Sequence, residues 1–247
     1  MLGSAWGLPR ERRAGAGRYP AHMATAGLNW EETELAGGGA LRCAGPATAR
    51  AAVLFAGGGT SRPLAGTWSS GYEWLLPRLL PQLPELRCGW LRYETRSWAR
   101  LAGPVRDHRQ VLDRLLADGP ERVVLVGFSM GGAVALTNAR EPAITGLLGL
   151  APWFPPSLSL DPLRGKRLRV LHGTLDGRIP GVPGVAPETS QAAVARAQEL
   201  GIDATWRPIP GGHHAWAIRP FGQLIAVPPA DLWLREIRAS LQELLEQ

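Results

Sequence analysis

One kind of cation is almost missing from this chain. A single lysine, Lys166, stands against 26 arginines in 247 residues. The arginines are scattered singly with acids among them, not clustered on one face as nucleic-acid binding requires. The formal charge of +6 and a pI near 10.3 therefore argue for no nucleic-acid partner, and GC-rich coding accounts for the usage better. Cysteine is also scarce. Cys43 and Cys88 lie far apart and outside any metal-ligand spacing, which excludes a disulfide scaffold and fits two reduced thiols in a cytoplasmic protein. No apolar run is long enough to span a membrane. Arg12-Arg13 is followed by no apolar segment, so no export leader is expected.

What is present is ordinary globular material, 45% hydrophobic and 19% charged, enough for one large α/β domain. Residues 1–28 are rich in Gly, Ala, Arg and Pro without periodicity. They read as a disordered tail, with Met23 an alternative start, ahead of one domain over 29–247. Thr33–Ala36 and Ala40–Cys43 flank three glycines and predict a β-hairpin. From Arg50 onward, short apolar strands alternate with helices. The strands are expected at Arg50–Ala56, Arg87–Tyr93, Val123–Gly127, Ile144–Leu150, Leu168–His172 and Ala204–Ile209. The helices are expected at Ser70–Leu80, Pro104–Ala117, Met130–Arg140, Glu188–Leu200 and Asp231–Leu245. Pro152–Lys166, with its four prolines, reads as a loop too short to build a cap. The pattern predicts a doubly wound, mostly parallel sheet with helices on both faces. Ligands in such sheets sit beyond the carboxyl ends of the strands.

Val123–Gly132 reads VVLVGFSMGG. It is a G-x-S-x-G turn in the setting that a nucleophile elbow needs, strand then sharp turn then helix. Ser129 would project from the turn. Serine is a weak nucleophile unless a base takes its proton. His213 and His214, in GGHHAW after the last strand, are the candidates; adjacent side chains cannot both reach one serine. His108 lies on an apolar helix face and His172 at a strand end, and both read more simply as structural. Asp176, four residues past a strand, is the favoured orienting acid. Asp161 in the Pro-rich loop is the alternative, and Asp203 falls at the wrong end of the sheet. The order Ser129, Asp176, then histidine is that of one hydrolase fold. Backbone donors for a developing oxyanion are expected from Met130 and from Gly57-Gly58-Gly59, with Gly58 favoured over Gly59.

With these residues the chain resembles the α/β-hydrolase superfamily, nearest its small serine esterase, acyl thioesterase and dienelactone hydrolase branches. GFSMGG, HGTLDGRIP (His172–Pro180), GGHHAW and FAGGG (Phe55–Gly59) carry the resemblance. It implies Ser129 as nucleophile, Asp176 as acid and His214, two residues before Trp216, as base. Branches ending in G-G-H would select His213 instead. Ala56 stands where the family often has histidine, which leaves backbone donation intact. The implied activity is hydrolysis of a small carboxylic ester or thioester, with no metal or organic cofactor. The same triad in an acyltransferase or perhydrolase, and a non-catalytic binding protein on this scaffold, are the rival readings. Trp153, Trp216, Trp98 and Arg62 are expected to contact substrate, with Trp68, Tyr93, Arg96 and Phe154 nearby and Arg178 a further cation.

Overall fold

The computed structural model describes residues 28–177 and 184–246. Apart from Leu28, the tail expected over 1–28 lies outside the described residues, as does Arg178.

Eight strands form one sheet: β1 (Glu31–Glu34), β2 (Ala40–Ala44), β3 (Ala51–Ala56), β4 (Leu86–Arg92), β5 (Arg122–Phe128), β6 (Ile144–Leu150), β7 (Arg167–Gly173) and β8 (Asp203–Ile209). Their order is β1-β2-β4-β3-β5-β6-β7-β8. The β1–β2 and β2–β4 pairs are antiparallel and the rest are parallel. The N-terminal hairpin is therefore formed as expected. Its outer strand, EETE, is fully exposed, and each of its three glutamates pairs with an arginine of the next strands. A charged strand of this kind protects a sheet edge from pairing with other chains.

Five helices cover the sheet: α1 (Ser70–Leu79), α2 (Ala102–Ala117), α3 (Met130–Thr137), α4 (Pro187–Glu199) and α5 (Ala230–Leu245). The period of two in each strand divides its side chains between two cores. Leu54, Val123 and Leu125 pack with Val111 and Leu112 of α2, Val134 of α3 and Ala193 of α4. Val53, Val124 and Val126 pack on the other face with Leu75 of α1 and Trp233, Ile237 and Leu241 of α5. Each such buried Leu, Ile or Val contributes about 1.5–3 kcal/mol. The same alternation separates the cysteines. Cys43 faces the first core and Cys88 the second, and both are free and buried.

The expected elements are found with ends shifted by at most three residues. The turn that holds Pro81 winds as a 3-10 segment, Leu80–Gln82, after a helix that contains Pro77. Two small two-stranded pieces were not expected: Leu64–Ala65 with Thr95–Arg96, and Ala217–Ile218 with Ile225–Ala226. Both come from loops beyond the carboxyl ends of the parallel strands. No described helix is long and apolar enough to cross a membrane.

Candidate active site

Ser129 joins β5 to α3 with φ 54° and ψ −122°, a conformation that an L residue adopts only when its surroundings impose it. Three backbone hydrogen bonds do so. Ser129 N–H donates to the Leu150 carbonyl at 3.0 Å, and the Ser129 carbonyl accepts from Gly132 at 3.0 Å and Trp153 at 2.9 Å. The flanking glycines are sterically required. A Cβ on Gly127 would stand 2.5 Å from the Gly131 carbonyl oxygen, and one on Gly131 would stand 2.2 Å from that of Ala56. The turn is thus clamped between its own helix and the end of β3.

That clamp brings the loop after β3 against the serine. A Cβ on Gly58 would lie 3.3 Å from Ser129 Cβ. Among the described residues, the N–H groups of Gly58 and Gly59 donate to no backbone carbonyl. Met130 is the first residue of α3, where an N–H has no partner within the helix. Ser129, Met130, Gly58 and Gly59 line one cavity of about 550 Å³, together with His214.

Asp176 sits in the turn after β7 and is 2% exposed. Its Oδ2 accepts from His214 Nδ1 at 2.7 Å and from His172 Nε2 at 2.9 Å, while Oδ1 accepts from Val185 N–H at 3.1 Å. Burial alone would raise this carboxyl group. The hydrogen bonds from His172 and His214 outweigh it and hold Asp176 below the usual carboxylate range. The acid and histidine loops are tied together. Thr174 N–H donates to the Ile209 carbonyl, Leu175 N–H to that of Gly212, and Gly211 N–H to Thr174 Oγ1. Because His214 Nδ1 carries the proton given to Asp176, Nε2 is the ring nitrogen left to accept, and the residue lines the cavity. No hydrogen bond joins it to Ser129 Oγ in this structure; such contacts commonly tighten only once substrate is bound.

The adjacent histidine goes elsewhere. His213 is off the cavity, and its Nδ1 is buried without a partner. The alternative acids are also accounted for. Asp161 binds Ser159 and Arg164 in its own loop, and Asp203 pairs with Arg169 at the opposite end of the sheet.

The sequence reading underrated His172. Its Nε2 faces only acceptors, Asp176 Oδ2 and the Val185 carbonyl, so that nitrogen carries the proton. Its Nδ1 lies 2.7 Å from Ser190 Oγ, which in turn accepts from Trp206 Nε1 at 2.9 Å. Ser190 Oγ also lies 3.0 Å from the Pro187 carbonyl, and Trp206, Ser190 and His172 form a polar cluster that ends on the same carboxylate oxygen as His214. A histidine four residues before an acid past a strand end was the available signal.

Two expected substrate contacts are corrected. Trp216 is fully buried, and its Nε1 donates to the Gly71 carbonyl at 2.8 Å. It packs against Phe128, Tyr72 and Trp233 beneath the site. The indole completes a core because the chain turns inward after His214. Arg62 is exposed and lies off the cavity wall, and Phe154 is core. Trp98, Trp153, Trp68, Tyr93 and Arg96 do line the cavity. Among the described residues, no group of three His, Cys, Asp or Glu side chains could hold a metal ion.

Ser129 at its strained strand-to-helix turn and His214, hydrogen-bonded to buried Asp176, both lie beyond the carboxyl ends of the parallel strands and line one cavity. The comparisons agree on the fold. The alpha/beta hydrolase family matches residues 52–239, and the chain belongs to it. An acyl-protein thioesterase 1 of Gibberella zeae is 33% identical over 106 residues, covering 39% of this chain and 43% of that protein. The match thus spans less than half the length of that relative. Among solved structures, esterases of Rhizomucor miehei superpose with TM-score 0.67 at 16% identity, over 90% of this chain and 85% of that one. An alpha/beta hydrolase enzyme from a Medee basin deep-sea metagenome library gives TM-score 0.66 at 18% identity, over 89% and 99%.

Proposed function

We propose that this protein is a serine hydrolase of small carboxylic esters or thioesters, working through an acyl-enzyme on Ser129. The observation that carries the reading is the 2.7 Å hydrogen bond from His214 Nδ1 to buried Asp176, with His214 and strained Ser129 on one cavity wall. The resemblance to a protein named acyl-protein thioesterase supports the same chemistry.

In this scheme His214 Nε2 takes the hydroxyl proton as Ser129 Oγ attacks the carbonyl carbon. Asp176 holds the imidazole tautomer and stabilises the imidazolium without itself being protonated. The N–H groups of Met130 and Gly58 receive the oxyanion, each such donor being commonly worth about 3 kcal/mol in the transition state. His214 returns the proton to the departing alcohol or thiol. Water, activated by the same imidazole, then releases the acid. The cavity of about 550 Å³ fits a small-molecule substrate. The free, buried thiols support a cytoplasmic setting.

A fluorophosphonate probe tests the reading. Labelling of the wild type that is lost in Ser129→Ala is expected, and an unlabelled, folded wild type would sink it. Product analysis with added alcohol or peroxide separates hydrolysis from acyl transfer.

A further inference from the structure

Among the described residues that line the cavity there is no aspartate or glutamate, and two are arginines, Arg96 and Arg219. The two differ in their partners. Arg219 is neutralised: Nη2 binds Glu73 Oε2 at 2.6 Å, Nε reaches the same oxygen at 3.2 Å, and Nη1 donates to the Gly222 carbonyl. Arg96 has no such partner. Among the described residues its side chain has no ion-pair or hydrogen-bond partner, and its Nε is buried with no acceptor. An arginine keeps its charge, and a buried donor left unpaired is costly. This half-buried cation therefore stands on the cavity wall with its Nε unpaired.

Its backbone is held in place. Arg96 pairs with Leu64 in the small two-stranded piece formed by the loops after β3 and β4, and its carbonyl accepts from Thr60 Oγ1 at 2.9 Å. The Trp98 N–H donates to the Thr60 carbonyl one turn further on. Trp98 and Trp153, 6.3 Å apart between ring centroids, line the same cavity and give an apolar surface beside the charge.

We propose that Arg96 is the anion-recognising residue of the substrate site, and that the preferred ester or thioester carries a carboxylate or phosphate remote from the scissile bond. The planar guanidinium fork matches both groups, and a carboxylate or phosphate oxygen supplies the acceptor that Arg96 lacks. The inference deepens the ester-hydrolase reading above and rests on it.

The test compares matched pairs of esters by pH-stat. Monoethyl adipate against ethyl pentanoate places the carboxylate on the acyl side. Phenyl acetate against its para-carboxylate and para-phosphate derivatives places the anion on the leaving group and tells the two anions apart. Wild type is expected to favour the anionic member of at least one pair in kcat/KM. Arg96→Gln should cut that anionic-to-neutral ratio by about ten- to hundredfold, the range of a charge-assisted hydrogen bond. Arg96→Lys, which keeps the charge and loses the fork, should fall between, and added salt should shrink the wild-type ratio. A wild-type ratio at or below unity in every pair, or a ratio equal in wild type and Arg96→Gln, overturns the proposal. Binding to Ser129→Ala, followed by indole fluorescence, gives a reading independent of turnover. The anionic ester should bind more tightly than its neutral twin, and the added Arg96→Gln change should abolish the difference. If that binding preference is present while the wild type neither turns over esters nor takes the fluorophosphonate, the anion site stands and the hydrolase reading falls. Equal binding of the two esters overturns the anion site alone.

Discussion

Replacing Asp176 by asparagine removes one charge and almost no volume, so its effects follow from hydrogen bonding alone. The carboxylate accepts three N–H groups, two on Oδ2 from His214 and His172 and one on Oδ1 from Val185. An amide offers one acceptor oxygen and one donor nitrogen. With its NH2 towards the histidines, it would oppose two donors. With its oxygen there, the NH2 opposes only Val185 N–H, so this second orientation wins. One buried donor is then unsatisfied, at about 1–3 kcal/mol, and two bonds to a charged acceptor become bonds to a neutral one, losing about 1 kcal/mol each. Asp176→Asn should therefore destabilise the fold by about 3–5 kcal/mol near neutral pH. It should also lower kcat by about four powers of ten, the scale seen when the orienting acid of a triad becomes an amide.

The pH dependence carries the sign that distinguishes this account from a simple packing defect. Asp176 is held below the usual carboxylate range, so its folded state binds a proton less readily than the unfolded chain. Its contribution is complete above the unfolded pKa of about 3.9 and is lost as pH falls through the depressed folded value. Urea unfolding of wild type and Asp176→Asn from pH 7 down to pH 3.5 should show a wide gap in free energy that narrows only below about pH 4. A gap that is constant with pH, or a kcat/KM within tenfold of wild type, would refute the reasoning.

The sheet was legible because its central parallel strands are buried on both faces and punctuated by turn residues; β6 is found at the bounds expected from its apolar run. The elbow was legible because Gly127 and Gly131 have no steric alternative, and a residue choice forced by backbone contact leaves a mark in the sequence. Pairing across loops left fainter marks. Nothing in GGHHAW alone decides which imidazole turns to Asp176, since that depends on how Leu175 and Gly212 staple two loops distant in the chain. Trp216 misled for the same reason: an aromatic two residues past the base can wall a pocket or fill a core. Only the depth at which the Gly71 carbonyl meets its indole decides. Arg96 was one arginine among 26 until its lack of a partner set it apart from Arg219.

Four further substitutions test separate parts of the structure. Gly131→Ala would force its methyl against the Ala56 carbonyl, 2.2 Å away, so loss of about 2 kcal/mol or more in urea unfolding is expected; an unchanged midpoint would refute the steric clamp. His108 is fully buried with neither ring nitrogen partnered, and burial, helped by Arg109, pushes its pKa down to about 3. As pH falls below about 6.5 the unfolded chain takes a proton that the folded one refuses, so stability should drop by about 2 kcal/mol by pH 5. His108→Leu should remove that part of the acid slope in urea melts, and identical slopes would show that His108 is not its source. The histidine pair is the sharpest case, because the two residues are adjacent and only one touches the acid. His214 Nδ1 is engaged by Asp176 while His213 is off the cavity, so His214→Ala should cost several powers of ten in kcat. His213→Ala removes a ring whose Nδ1 is buried without a partner, and it should act chiefly on stability. If instead His213→Ala abolishes turnover of a neutral ester while His214→Ala retains it, the 2.7 Å bond to Asp176 does not mark the base.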